Sequence, residues 1–108
     1  MWDVVALHAS SAIARHKSEE TAVAHAGISI DVRGVGAERF PQEAVRAVLD
    51  AFPRVGFPEA FHRSLVEEVR RNPDATRLSW MESMTVRHVD GYVAADFEAG
   101  LLGSAGFQ

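Results

Sequence analysis

Apolar residues recur at helical spacing along most of the chain, and this pattern predicts an all-α fold. The first periodic stretch runs from Trp2 to about Ala14, with apolar residues at positions 1, 4, 5, 12 and 13. Ser18 is a favourable N-cap for a second helix that runs to about Val32, where Gly34 opens a loop.

Proline and glycine positions divide the rest of the chain into further predicted helices. Their apolar stripes start near Pro41, Pro58 and Leu78, and a last short helix spans Asp96 to Leu102 before a glycine-rich tail. No stretch shows convincing two-residue alternation, so a sheet is not expected. The sequence predicts a compact bundle of five or six helices, in one domain that spans 1–108.

Composition and charge argue against several classes of function. The net charge of −4 and the pI near 5.7 argue against nucleic acid or an anionic membrane as the main partner. The chain has no cysteine, which excludes disulfides and thiolate metal sites. No signal peptide or membrane-spanning stretch is recognisable, so we expect a cytoplasmic location.

Two ionisable residues, His8 and Asp31, lie where the helical pattern calls for an apolar side chain. His8 is either a core histidine bonded to the backbone or a ligand or general acid/base. Asp31 is either solvated at the helix end or paired with Arg33 or Arg15. Alternatively, small neighbours such as Gly27 leave room beside the carboxylate for a metal or a substrate.

The other histidines and the large side chains near residue 80 are expected to have structural roles only. We expect solvent around His16 and His25, a helix-flank position for His62, and capping of helix carbonyls by His88. Trp80, Met81 and Met84 are expected in the core, because such stripes are more often core than part of a cofactor site.

Two segments carry a resemblance to a known family. The run "WDVVALHASSAIARHKSEETAVAHAGISIDVRG" resembles the later part of the HD-domain superfamily of metal-dependent phosphohydrolases, in a bacterial branch similar to cyanamide hydratase. "SWMESMTVRHVDG" is similar to the closing segment of that branch. Ser18 departs from the pattern, since the family often has proline there. The matching residues of the first run are Trp2, Leu7, His8, Ile13, Ala14, Glu19, Gly27 and Asp31.

The resemblance implies a role for the two unusual residues. The superfamily's ligand pattern is a histidine, a His-Asp pair and a later aspartate. Asp31 matches the last aspartate, a metal ligand. His8 matches a catalytic histidine near the site, a proton donor that either faces the substrate or lies behind the metal ligands. No His-Asp dipeptide occurs in the 108 residues. We therefore expect the C-terminal part of an HD domain, from a truncated product or a reading frame begun late.

This relationship implies one function and leaves a second open. The family cofactor is a divalent metal (Mn, Fe, Ni, Zn or Mg), which this chain is not expected to bind tightly. The implied activity is hydrolysis of a phosphoester, or hydration of a nitrile or cyanamide, on an unknown small-molecule substrate. We expect this fragment to be inactive. The alternative is a non-catalytic helical module for self-association, as a homo-oligomer, or for partner binding.

The HD hypothesis also makes two geometric predictions. His8 and Asp31 should lie side by side around one ion. The face of the first helix that holds Val4, Val5, His8 and Ala12 should meet solvent, a second copy or a rearranged tail, since the helices that normally cover it are missing.

Overall fold

The computed structural model describes residues 1–104, and within them every regular element is a helix. The all-α prediction is confirmed. The end of the predicted glycine-rich tail, 105–108, lies outside the described residues. Seven α-helices are α1 (Trp2–Leu7), α2 (Ser11–Lys17), α3 (Glu19–Arg33), α4 (Gln42–Ala51), α5 (Phe57–Arg71), α6 (Glu82–His88) and α7 (Phe97–Leu102), with 3₁₀ helices at Ala37–Arg39 and Pro73–Thr76.

The predicted first helix is divided into α1 and α2. His8 is the C-cap of α1 and Ser10 is the N-cap of α2, with φ −98° and ψ 80°. The Ser10 amide donates to the Leu7 carbonyl at 2.9 Å, which turns the chain between the two helices. This break accounts for the one helix beyond the predicted number.

The chain groups into two compact units, Met1–Pro58 and Glu59–Gln108. The first unit holds α1 to α4, and α3 packs against both α1 and α2. Ala14 and Thr21 are buried there. The second unit takes most of α5 together with α6 and α7. The single domain expected from the sequence stays a prediction.

Both ends of α3 follow local sequence rules. The Ser18 Oγ accepts a hydrogen bond from the Thr21 amide at 3.3 Å, so the predicted N-cap is confirmed. At the other end Gly34 has φ 71° and donates its amide to the Ile30 carbonyl at 2.7 Å. Glycine adopts this left-handed conformation without a Cβ clash, which ends the helix where the sequence predicted.

In the second unit, hydroxyl groups form part of the interior. Thr76 and Thr85 are buried, and their Oγ1 atoms lie 2.6 Å apart in a shared hydrogen bond. This bond joins the 3₁₀ helix Pro73–Thr76 to α6. The fifth helix was predicted from Leu78 but begins at Glu82, because Leu78 has φ 62°, a value incompatible with a right-handed helix.

Few apolar side chains of the described residues are fully buried. Ala14 and Val69 are the buried hydrophobic residues of this part of the chain, whereas many large ones are exposed, among them Trp2, Val5, Phe52 and Leu78. On α1 and α2, Val5 and Ala12 are exposed and Val4 and His8 are half-buried. The predicted inner face of the first helix is thus partly uncovered. Within 1–104 no helix combines the length and apolarity needed to cross a membrane.

Candidate functional site

A cavity of about 440 Å³ lies in the first unit, and we call it the α3–α4 groove. Its wall is predominantly apolar and carries one ion pair. It is lined by Gly27, Ile30, Asp31 and Gly34 of the α3 region, Ala37 and Phe40 of the following segment, and Ala44, Val45, Val48, Leu49, Phe52 and Arg54 at or after α4. Cavities of this size and polarity are typical of ligand sites.

The sequence of α4 explains the apolar wall. Val45, Val48 and Leu49 are three and four residues apart, so they share one face of the helix, and Phe52 follows at its C-cap. The sequence predicted this apolar stripe from its helical spacing. In the structure Val48 is 59% exposed and Phe52 is 73% exposed. The stripe therefore presents apolar surface to the groove and to solvent.

Gly27 leaves space on the opposite wall. A Cβ atom built at this position in α3 meets no heavy atom within 4 Å among the described residues outside its own helix backbone. The sequence had predicted that small residues near Asp31 leave room for a ligand, and Gly27 and Asp31 do line the same cavity. Larger side chains at position 27 would occupy this space.

Asp31 pairs with Arg54, which the sequence did not predict. The Arg54 Nε lies 3.7 Å from the Asp31 Oδ1, and the Asp31 side chain is 67% exposed against 30% for Arg54. The Arg54 guanidinium also lies over the Phe57 ring, 4.4 Å from its centroid. The expected partners, Arg33 and Arg15, bond instead to Ser29 and to the Ser11 carbonyl. Asp31 is thus a largely solvated carboxylate beside a fixed cation.

His8 and His25 lie at the C-terminal end of α1. The His8 Nδ1 donates to the Val5 carbonyl at 2.8 Å, and the His25 Nδ1 donates to the His8 carbonyl. Because a carbonyl oxygen only accepts, both Nδ1 atoms carry a proton. The two rings supply donors to carbonyls at a helix end, where such groups lack helical partners. This arrangement matches the backbone-bonded reading of His8.

The structure does not pair His8 with Asp31 through any contact that it records between described residues. His8 meets α3 at His25, and Asp31 follows six residues later, about 9 Å along the axis and roughly 120° around it. Their joint role around one ion stays a prediction.

His25 was expected to be solvated, and this prediction is wrong. His25 is half-buried and bonds across 17 residues to the backbone of His8. Its position was readable from the helical period, since buried Thr21 lies one turn before it on the same face of α3.

The donor set near Asp31 does not fit a tightly bound divalent metal. No group of three or more His, Asp or Glu side chains within 1–104 is arranged to hold an ion. Beside Asp31, the Arg54 cation would compete with a metal for the single carboxylate. Tight sites for such metals need several ligands of suitable geometry.

A second polar cluster, in the other unit, centres on Glu82 and Tyr92. The Glu82 Oε1 accepts from the Tyr92 hydroxyl at 3.0 Å and from the Ala95 amide at 3.1 Å. The Ala95 amide is the main cause that lowers the pKa of Glu82 from its ordinary value, and the Tyr92 hydroxyl adds to it. Burial raises the pKa of Tyr92, as does its bond to Glu82. The cluster fastens the irregular segment after α6.

Arg77 extends this cluster towards the surface. Its Nη2 lies 3.0 Å from the Asp74 Oδ1, its Nη1 donates to the Val93 carbonyl at 3.1 Å, and its guanidinium lies 5.0 Å from the Tyr92 ring centroid. Sequence reasoning did not single out Arg77, Glu82 or Tyr92. Their separation along the chain gave no spacing signal, because an irregular loop brings them together.

The large side chains near residue 80 do not form the predicted core stripe. Trp80 is 56% exposed, so its predicted core position is wrong, whereas Met81 and Met84 are half-buried. The His88 ring meets the His62 ring edge-on, with centroids 5.6 Å apart, and His88 accepts a bond from Arg70 at its carbonyl.

Comparison with profiles of known protein families, with curated proteins and with solved structures finds no match for this chain.

Proposed function

We propose that this chain is a non-catalytic helical binding module whose α3–α4 groove takes an apolar ligand group. The observation that supports this most directly is a cavity of about 440 Å³ whose wall is predominantly apolar and includes the exposed side chains of Phe40, Val48 and Phe52. Exposed apolar surface that is concave and continuous is typical of sites of association.

The energetics of the groove favour occupation. Fully burying a valine or phenylalanine side chain stabilises by roughly 1.5–3 kcal/mol, and Val48, Leu49 and Phe52 all keep a large exposed fraction. Association costs about 4–15 kcal/mol in lost freedom, so a ligand must cover several of these side chains at once. An apolar group that fills the cavity meets this condition, whereas a small polar molecule does not.

Filling the groove from within tests the proposal. Gly27→Leu places a side chain in open space and replaces a glycine inside α3, which favours the helix by about 1 kcal/mol. We expect this variant to fold as stably as the wild type and to bind an apolar fluorescent naphthalene sulfonate dye at least ten-fold more weakly.

Gly100→Leu is the matched control. It makes the same exchange at a glycine of α7 that also has open space around it, outside the groove. Its dye affinity should equal that of the wild type. Equal dye affinity in wild type and Gly27→Leu would rule out the groove as the binding site.

We propose HD-type hydrolysis as the second candidate function, on the strength of the sequence resemblance. The observation that favours it is the position of Asp31, the residue matched to a metal ligand, on the wall of the cavity with an accessible carboxylate. The donor set described above does not fit a tight metal site, so no catalytic step is derived. His8 would be the associated catalytic residue.

Manganese titration of the full chain separates the two candidates. A rise in melting temperature and in phosphoesterase or nitrile-hydrating activity, both reversed by a chelator and lost in Asp31→Asn, would support the hydrolase. Absence of both responses, together with groove-dependent dye binding, would support the binding module.

A further inference from the structure

We propose that His62 and His88 form a two-histidine site for a divalent transition-metal ion, and that Cu²⁺ is the ion this site binds most tightly. Both residues lie in the second unit, so the inference does not depend on the α3–α4 groove. It follows from the distance between the two rings, from the hydrogen bonding of their nitrogens, and from the way in which α5 and α6 hold them.

The two rings already have the separation that a shared ion requires. Their centroids lie 5.6 Å apart and their planes are inclined by 72°. Two imidazoles that bind one tetrahedral ion through nitrogens at about 2.0–2.1 Å have ring centroids roughly 5–6 Å apart. The χ2 dihedral of histidine has broad energy minima, so the ring planes can adjust to an ion while the two helices keep their positions.

The nitrogens of both rings are available to a metal ion. Within residues 1–104 the two rings contact each other, and neither ring takes part in a hydrogen bond. His8 and His25 differ, because their Nδ1 atoms donate to carbonyl oxygens. His62 is exposed and His88 is half-buried, and no buried side-chain nitrogen of the described residues lacks a hydrogen-bond partner. The ring nitrogens of His88 therefore reach solvent.

The two ligands are held by different helices. His62 lies inside α5, a helix of 15 residues, and His88 is the last residue of α6. The Arg70 Nε, about two turns after His62 on α5, donates to the His88 carbonyl at 3.3 Å. This second contact fixes the end of α6 against α5. Ligands whose positions are fixed by the fold favour binding, because little freedom is lost when the ion arrives.

The donor atoms select the class of ion. Imidazole nitrogens suit copper, nickel and zinc, whereas Mn²⁺ and Mg²⁺ prefer oxygen ligands. No group of three or more His, Asp or Glu side chains in the described part of the chain could hold an ion, so water completes the coordination. Neutral imidazoles bring no negative charge, and Arg70 adds a positive one nearby. Affinity is therefore modest, and Cu²⁺, the strongest binder of these ions, is the most sensitive probe.

A bound ion would join α5 to α6 directly. These helices are not among the closely packed pairs of elements in residues 1–104, so the additional link should be measurable as stability. An ion that binds only the folded chain stabilises it by mass action. Zn²⁺ at about 100 times its Kd should raise the melting temperature by roughly 5–10 °C.

Copper binding by the full chain tests the proposal. At neutral pH we expect one tightly held Cu²⁺ per chain, with two nitrogen ligands in its electron paramagnetic resonance spectrum. His62→Gln and His88→Gln should each weaken Cu²⁺ binding at least ten-fold and abolish the shift in melting temperature with Zn²⁺. Because His62 is exposed, His62→Gln should melt within about 2 °C of wild type without metal. His16→Gln is the matched control, since it removes another exposed histidine, on α2.

Several outcomes would overturn the inference. Equal Cu²⁺ affinity in wild type, His62→Gln and His88→Gln would exclude the pair, as would a spectrum with a single nitrogen ligand. A comparable loss in His16→Gln would mean an adventitious ion only, shared among surface histidines. Asp31→Asn should leave the Cu²⁺ affinity unchanged, which separates this site from the hydrolase candidate. A ten-fold loss in Asp31→Asn would place the ion in the first unit instead.

Discussion

The two units of this chain differ in the interactions that hold their irregular segments in place. In Met1–Pro58 the loop after α3 and the segment after α4 run along an apolar cavity, and the polar link there is the exposed pair of Asp31 and Arg54. In the unit from Glu59 onward, Thr76, Thr85 and Glu82 form bonds that fix a turn and a loop. The first unit leaves apolar surface open to solvent, and the second holds its turn and loop in place with hydrogen bonds.

The contrast shows two ways in which a small chain with little buried apolar surface can arrange its irregular segments. Hydrogen bonds between buried groups specify a geometry, because a broken one leaves a donor or acceptor without a partner. An apolar cavity imposes fewer geometric requirements and can bind any apolar group that fits its volume. The following predictions test the two units separately, from the largest expected effect to the smallest.

Thr85→Val should destabilise the protein by about 1–3 kcal/mol. The exchange keeps the shape of the side chain but removes the hydroxyl that bonds to Thr76 in a buried position. Urea unfolding measures the change. Ser83→Ala on the same helix is the control, since Ser83 is exposed and should stay within about 0.5 kcal/mol of wild type. Equal effects of the two exchanges would contradict the role of the buried bond.

Ser18→Ala should cost roughly 1 kcal/mol in the first unit, because the Ser18 hydroxyl caps α3. Ser10 provides the matched comparison. It is the N-cap of α2 but its side chain makes no capping bond, so Ser10→Ala should cost clearly less. Thermal unfolding of both variants checks the order. The reverse order would mean that the α1–α2 break depends on Ser10 more than α3 depends on its cap.

Acid should destabilise the protein in part through Glu82. The pKa of Glu82 lies below its ordinary value of 4.5 in the folded chain, so its contribution is complete above that value. The contribution is lost as the pH falls through the folded pKa. Melting temperatures between about pH 6 and about pH 3 should therefore fall more steeply for wild type than for Glu82→Gln. Tyr92→Phe should lie between them, and identical slopes would contradict this account.

Asp31→Asn should have the smallest effect on stability, about 0.2–1 kcal/mol or less, because Asp31 is largely solvated. The effect should shrink further when salt is added. Arg39→Gln, which removes a more exposed pair with Glu38, is the reference. A loss well above 1 kcal/mol would show that the pair with Arg54 organises the groove.

Local rules predicted much of the fold but little of the site. Ser18 and Gly34 marked the ends of α3 because helix termini have strong preferences for serine at the N-cap and glycine after the last turn. The apolar stripe of α4 was also recognisable, although its exposure was not, because exposure depends on what packs against the stripe. Leu78 gave no signal of its turn, since leucine ordinarily favours helices.

The sequence pattern singled out the site residues as exceptions to the apolar periodicity, but it did not show which residues they pair with. His8 and Asp31 stood out against the apolar pattern, but the pairing of Asp31 with Arg54 joins α3 to a loop 23 residues later, and no spacing rule reaches that far. His25 was misjudged because its position on the same face of α3 as buried Thr21 was not considered.

Amide chemical shifts test the central claim most directly, that the α3–α4 groove binds an apolar group. The isotope-labelled wild type would be titrated with the naphthalene sulfonate dye, with labelled Gly27→Leu as the control whose groove is filled. We predict saturable one-to-one shifts concentrated at Gly27, Val45 and Val48 and at the residues beside them in the groove. Unchanged spectra, or shifts confined to the second unit, would contradict the claim.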